Sequence, residues 1–199
     1  MYILLASLLG YILGSIPFAL VIGKVFYKTD IREHGSGNLG GTNAGRTLGS
    51  KAAAGVIVFD VLKATFAMAL TALFAKDYII YAGFFATLGH CFPLFANFKG
   101  GKAVSTAMGF LLGITIFITQ AYFSGFILPI LIFLAFLYLT KMVSLSSIIA
   151  VSCASVILMF TTTPLVVGTF TIIAIIVIWR HRTNITRIMN GEERKITWM

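Results

Sequence analysis

Three short stretches and one pair of intramembrane charges hold nearly all the residues able to do chemistry in this 199-residue chain. The first stretch, residues 31–51, interleaves six glycines (Gly35, Gly37, Gly40, Gly41, Gly45 and Gly49) with Ser36, Asn38, Thr42, Asn43 and Arg46. Glycines let backbone N–H groups come close to an anion, and hydroxyl, amide and guanidinium groups add donors, so the chemistry of the stretch is that of an anion cradle. A flexible linker is the alternative, but a linker needs neither Arg46 nor adjacent Thr42 and Asn43. The glycine density predicts neither a stable helix nor a stable strand here, because each glycine weakens the interior of either element.

The second stretch runs from Gly89 and His90 to Lys99, Gly100, Gly101 and Lys102, with Ala103 to Thr106 opening a helix. Two glycines and a lysine at a helix start suit a phosphate, since amides and the helix dipole point toward it. The Gly-x4-Gly-Lys-Ser/Thr spacing of a nucleotide-binding loop is absent, and an ordinary charged membrane boundary is the alternative. The third is the tail, with Arg180, His181, Arg182, Asn184 and Arg187 followed by Glu192, Glu193, Arg194 and Lys195. Basic clusters beside a membrane commonly touch anionic lipid heads, which accounts for the arginines but not for His181 and Asn184.

Asp60 and Lys63 are i,i+3 neighbours inside an apolar run, roughly 14 Å beyond Lys51 on a regular helix. Charges at that depth pair with each other or line a cavity. A structural pair and a site-supporting pair both fit. The histidines at 34, 90 and 181 stand far apart, with no acid at ligand spacing, so no metal site is expected. There is no Gly-x-Ser-x-Gly elbow and no histidine–aspartate pair at a catalytic spacing, so no conventional acid/base dyad is legible.

The elements that must position these groups follow from composition. The chain is 59% hydrophobic and 11% charged with a mean hydropathy of +0.99, against about 25% charged residues in soluble domains. That is an all-α, polytopic membrane helical bundle, since open sheets cannot span lipid and the apolar runs lack barrel alternation. Seven apolar spans are expected, at about residues 2–27 (kinked at Pro17, with Gly10 and Gly14 as a close-packing face), 52–74, 78–94, 103–119, 122–140, 143–160 and 165–179. Several are short for a bilayer, so five spans with re-entrant segments fit as well. A short helix is expected in the tail. The first span reads as retained, not as a cleaved signal segment, and Cys91 and Cys153 read as core thiols.

The net charge of +9 does not point to nucleic acid, because the basic residues fall between apolar runs and form no basic face. With the N-terminus outside, positions 24, 28, 32, 46, 51, 99, 102, 141, 180, 182, 187, 194 and 195 lie inside. That is thirteen of the fifteen lysines and arginines, with Lys76 outside and Lys63 within a span. The positive-inside asymmetry therefore predicts a cytoplasmic C-terminus, with cytoplasmic loops at 28–51, 97–102 and 180–199, and the chain reads as one domain over 1–199.

These motifs, with Gly14, Ser15, Ile16 and Pro17 ahead of them, together resemble the bacterial acyl-phosphate:glycerol-3-phosphate acyltransferase family over essentially the whole chain. The resemblance implies transfer of a fatty acyl group from acyl phosphate to the 1-hydroxyl of glycerol 3-phosphate, giving lysophosphatidic acid and phosphate in the bacterial inner membrane, with the site at the cytoplasmic face. It implies activity-bearing roles for Ser36, Arg46, His181 and Asn184. It places Gly100 and Gly101, with Lys102 beside them, at glycerol-phosphate binding, and gives Glu193 a structural part. To these we add Asn38, Gly40, Gly41, Thr42, Asn43, His90 and Ser144 as substrate-side residues, and Asp60 and Lys63 as support. Besides the two substrates and the bilayer no partner is implied, and no cofactor. A transporter of a small phosphorylated solute is the main alternative, although it would usually carry paired repeats and midplane polar breaks. A non-catalytic lipid-binding subunit is the third reading.

Overall fold

The computed structural model describes residues 1–196, all of its regular elements being helices. Ten α-helices follow in order: α1 Tyr2–Gly14, α2 Phe18–Tyr27, α3 Gly41–Leu48, α4 Ser50–Ala72, α5 Ile79–Cys91, α6 Val104–Ile114, α7 Leu128–Thr140, α8 Val143–Met159, α9 Pro164–Arg180 and α10 Arg182–Met189. The seven expected apolar runs are all helical. Four stretches are long and apolar enough to cross a membrane: Tyr2–Tyr27, Ser50–Ala72, Lys76–Ala96 and Phe123–Thr140. A fifth is the pair α9 and α10, bent by 57°, while Val104–Thr119 and Val143–Met159 are shorter. The chain divides into two compact units, Met1–Gly113 and the residues from Ile114 onward.

The first unit is built on helix crossings that only glycine permits. A Cβ on Gly10 would overlap the Ala82 backbone, one on Gly14 the Ala86 backbone, and one on Gly89 would press on the Tyr11 carbonyl. Helices α1 and α5 therefore touch backbone to backbone, as the four-residue spacing of Gly10 and Gly14 anticipated. The Tyr11 hydroxyl adds a 2.7 Å hydrogen bond to the Phe92 carbonyl at one end, and Tyr2 stacks on Tyr78 at the other. On α6, Gly109 meets the Val61 backbone of α4, and Thr65 Oγ1 donates to the Gly109 carbonyl at 2.8 Å.

Pro17 breaks the first span as its missing N–H requires, with α2 restarting on the Pro17 carbonyl. The expectation that residues 31–51 form no helix is overturned by α3. Gly41 packs on Ile57 and Ala53 of α4, and Gly45 sits 3.1 Å by its would-be Cβ from the Ala53 methyl. Ala44 joins Ile22, Ile31, Leu39, Ala52 and Val56 in a buried apolar cluster. Each interior glycine costs a helix roughly 1 kcal/mol, but here the bare face is what lets α3 lie on α4, and that tertiary contact overrides propensity. Gly49, at φ +95°, then turns the chain from α3 into α4.

In the second unit α7, α8 and α9 pack in sequence, and α10 rests on α8 and α9. Two π-helical turns, Thr115–Thr119 and Phe123–Ile127, flank a bend at Gln120 (φ +53°). The tail is fastened rather than loose. Glu193 Oε1 accepts from Ser144 Oγ and Asn184 Nδ2, each at 2.7 Å, and Oε2 from Arg187 Nε at 2.9 Å. The Ile196 amide donates to the Lys141 carbonyl at 2.8 Å. Burial alone would raise the Glu193 carboxyl, but the hydrogen bonds from Arg187, Asn184 and Ser144 outweigh it and hold the group below its ordinary value.

Gly10→Leu forces α1 off α5 and lowers stability in detergent or nanodiscs by about 1–3 kcal/mol. Gly168→Leu, where an added Cβ meets nothing within 4 Å, stays within about 0.5 kcal/mol of the parent. Because the folded Glu193 value lies below the unfolded one, its bracket stabilises above the ordinary carboxylate range and fades as pH falls through the folded value. The difference in Tm between the parent and Glu193→Gln is thus largest near neutrality and shrinks below about pH 4.

Candidate active site

The glycine-rich stretch of the first unit is organised by one side chain. Asn43, 2% exposed, accepts the Ser36 amide on Oδ1 at 2.8 Å and donates from Nδ2 to the Ile31 and His34 carbonyls, both at 3.1 Å. Its amide is thus engaged in holding the loop together and presents no spare donor to an anion. Gly35 and Gly37 take left-handed φ values of 64° and 67°, and a Cβ at Gly35 would overlap Asn43 Oδ1. Asp30 anchors the start of the loop, accepting from the Arg32 amide at 3.1 Å and pairing with Arg32 and Lys24. The Arg32 guanidinium, aided by Lys24, keeps the Asp30 carboxyl far below its usual range.

Held this way, Ser36, Thr42 and Arg46 stay exposed, with Asn38 and Gly40 half-exposed. Thr42 and Arg46, four residues apart on α3, share one face. The backbone of Gly40 caps α3, so the first amides of that helix, at Gly41 and Thr42, lie at its positive end. Hydroxyl, guanidinium and helix-start amides are the donor set an anion needs.

The second stretch is wrapped around His90. The Gly101 amide donates to the His90 carbonyl at 3.1 Å. A Cβ on Gly100 would overlap that carbonyl, and one on Gly101 would overlap His90 Nε2. These two glycines are therefore required by packing as well as by any ligand. Asn97, Phe98 and Ala103 all take left-handed φ values (52°, 57° and 61°), which cost L-residues energy and persist only where their surroundings impose them. Lys102 lies half-buried between this strained loop and α6.

Behind the loop the fold assembles a group that sequence spacing concealed. His90, at the last turn of α5, meets Asp60 and Lys63 of α4. Lys63 Nζ lies 2.9 Å from His90 Nδ1, 2.7 Å from Asp60 Oδ1 and 3.1 Å from the Ile16 carbonyl freed by the Pro17 break. Asp60 Oδ1 is 3.3 Å from His90 Nδ1. The three side chains are 1–6% exposed. The absence of a carboxylate near any histidine in sequence is therefore corrected: His90 has one, delivered from another helix. Intramembrane charges with a histidine in reach were the available signal. A narrow cleft lined by Ile16, Pro17, Leu39, Lys63, His90 and Gly100 opens against this group. Leu39 and the Ile16 carbonyl were not anticipated as site components.

In the second unit His181 is buried at the α9–α10 junction and its Nδ1–H donates to the Val177 carbonyl at 2.7 Å. That bond puts a ring proton on Nδ1. Asn184 and Ser144 share Glu193 Oε1, so Ser144 belongs to the bracket that fixes the tail.

The whole chain is similar to known proteins. A family model described as glycerol-3-phosphate acyltransferase matches residues 4–191. The glycerol-3-phosphate acyltransferase of Listeria monocytogenes serovar 1/2a is 48% identical over 201 residues, covering 99% of this chain and 98% of that protein. That of Bacillus subtilis strain 168 is 48% identical over 200 residues, covering 100% of both. The crystal structure of PlsY (YgiH), an integral membrane glycerol 3-phosphate acyltransferase, in its glycerol 3-phosphate form, superposes with a TM-score of 0.89 at 32% identity, covering 99% of this chain and 96% of that one. Its lysophosphatidic acid form gives 0.86 at the same identity. With a family model over residues 4–191 and near-half identity end to end, this integral membrane chain belongs to the glycerol-3-phosphate acyltransferase family.

Proposed function

We propose that this chain transfers a fatty acyl group from acyl phosphate to the 1-hydroxyl of glycerol 3-phosphate, giving 1-acyl-glycerol 3-phosphate and inorganic phosphate for phospholipid synthesis. The observation that carries the reading is that the family likeness runs through all three polar stretches, in order and at full length. Acyl phosphate as donor agrees with a chain whose exposed polar groups suit anions and whose sequence has no nucleophile elbow.

The transfer is a single step. The hydroxyl oxygen attacks the acyl carbonyl carbon, the carbon–oxygen bond to phosphate breaks, and phosphate leaves with the electron pair. The hydroxyl proton passes to a phosphate oxygen of the substrate. Acyl phosphate is already activated, so the protein's work is to orient the hydroxyl and to stabilise charge growing on the carbonyl oxygen. Arg46 and the amides of the glycine-rich stretch take that charge. Ser36 aligns a phosphate oxygen, and Gly100, Gly101 and Lys102 hold glycerol 3-phosphate. His181 and Asn184 carry activity in the second unit, and His181 or His90 as general base is the competing version of the proton transfer. The charge asymmetry supports placement in the bacterial plasma membrane with the three polar stretches at the cytoplasmic face, in one functional domain over 1–199.

Purified protein in nanodiscs, given acyl phosphate and glycerol 3-phosphate, yields lysophosphatidic acid and phosphate in equal amounts, whereas acyl-CoA gives none. Turnover with acyl-CoA alone, or solute uptake into vesicles without acylation, overturns the reading. Arg46→Ala lowers kcat/KM by about 10²–10³. Ser36→Ala lowers it without any acylated protein accumulating in the parent, and mass-spectrometric capture of acyl-Ser36 during turnover sinks the single-step route. Gly101→Ala raises the KM for glycerol 3-phosphate by about tenfold while the donor KM moves little.

A further inference from the structure

The buried group of Asp60, Lys63 and His90 has no part in the transfer step above, yet its geometry is too specific for a bare structural pair. Taking two charges out of water is costly, and an apolar contact between α4 and α5 would hold those helices without that cost. The Lys63 ammonium has three N–H donors and faces three acceptors: the Ile16 carbonyl, His90 Nδ1 and Asp60 Oδ1. Asp60 Oδ1 is held as an ion-pair partner, off the axis of a regular hydrogen bond. An ammonium can only donate, so His90 Nδ1 must accept, and the proton of a neutral ring sits on Nε2. Nε2 is the ring atom against Gly101, and the His90 carbonyl is the acceptor for the Gly101 amide. One histidine thus touches the second loop from two sides, while on its inner side Nδ1 faces Lys63 Nζ at 2.9 Å, closer than the 3.3 Å to Asp60 Oδ1.

We propose that Asp60 and Lys63 are positioning residues that lock His90 as its Nε2–H tautomer and, through His90, hold the Gly100–Gly101–Lys102 loop in the shape that receives the phosphate of glycerol 3-phosphate. The proposal rests on the substrate reading above for its ligand, but the tautomer and the loop's support do not depend on turnover. The three non-glycine residues with left-handed backbone in and beside this loop are the reason such support is needed. The Ile16 carbonyl extends the same support to the Pro17 break, so one ammonium ties the broken span, α4 and the loop-bearing end of α5.

The test uses the full-length protein in nanodiscs, labelled with 15N-histidine. Its three histidines make the His90 signals assignable through their loss in His90→Gln. The expected spectrum has His90 neutral with the proton on Nε2, and Lys63→Met moves it to a mixture of tautomers. Kinetically, Lys63→Met and the near-isosteric Asp60→Asn raise the KM for glycerol 3-phosphate by about tenfold, with donor KM and kcat within about threefold. In a Gly101→Ala background, where the loop is already displaced, Lys63→Met adds less than about twofold, the signature of residues acting through one element. Asp60→Asn carries the test if Lys63→Met does not fold. An Nδ1–H or doubly protonated His90 in the parent, a loss confined to kcat, or full additivity with Gly101→Ala overturns the proposal. Absence of any acylation by the parent protein instead overturns the functional reading, and the 15N spectrum still decides whether His90 is locked.

Discussion

A single buried ammonium, that of Lys63, meets the constraint on which the first unit depends. In an apolar surrounding every polar group must find its partner within the protein. Pro17 interrupts the first span and frees the Ile16 carbonyl; Asp60 brings a negative charge into the middle of α4; His90 ends α5 with a polar ring. The Asp60 charge and the His90 ring would be costly without partners, and the Ile16 carbonyl, which accepts from the Phe18 amide at 3.1 Å, has a second lone pair to offer. Lys63 sits within 3.1 Å of all three, so the helix break, the carboxylate and the ring are drawn into one cluster, Asp60 Oδ1 entering it as an ion-pair partner. The second polar loop is built on its outer side, where Gly100 and Gly101 close over His90.

Close backbone packing is the second organising device, and it explains the glycine content better than ligand binding does. Gly10, Gly14, Gly89 and Gly109 stand where two helix backbones meet, and Gly41 and Gly45 let α3 lie on α4. Gly35 and Gly37 bend the loop that Asn43 ties from inside. The anion-suited groups left exposed, Ser36, Thr42 and Arg46, are then carried by a packed helix and a cross-linked loop in place of a slack linker. Such rigidity suits a chemistry in which the protein orients activated reactants and stabilises charge.

Much of the fold is legible in the sequence itself. All seven apolar runs are helices near their expected limits, because hydropathy is a local property that the membrane reads directly. The short tail helix and the Pro17 break followed from local chemistry too. The glycine-rich stretch misled in one respect: propensity argued against any helix, and α3 exists because its bare face packs on Ala53 and Ile57. Asn43 looked like a ligand donor by type, whereas its three side-chain hydrogen bonds all go to its own loop. Ser144 likewise turned toward Glu193.

Residue types, their order and the distribution of positive charge were enough to fix a helical membrane protein, its three polar stretches and its family likeness, because each depends on local composition or on motifs continuous in the chain. What only the tertiary structure decided was which polar groups answer one another. Asp60 and Lys63 sit on α4, His90 closes α5 and the Ile16 carbonyl precedes α2, so no spacing rule connects them. Their meeting depends on how glycine-lined backbones bring α1, α4 and α5 together, a consequence of three-dimensional packing with no period in the sequence.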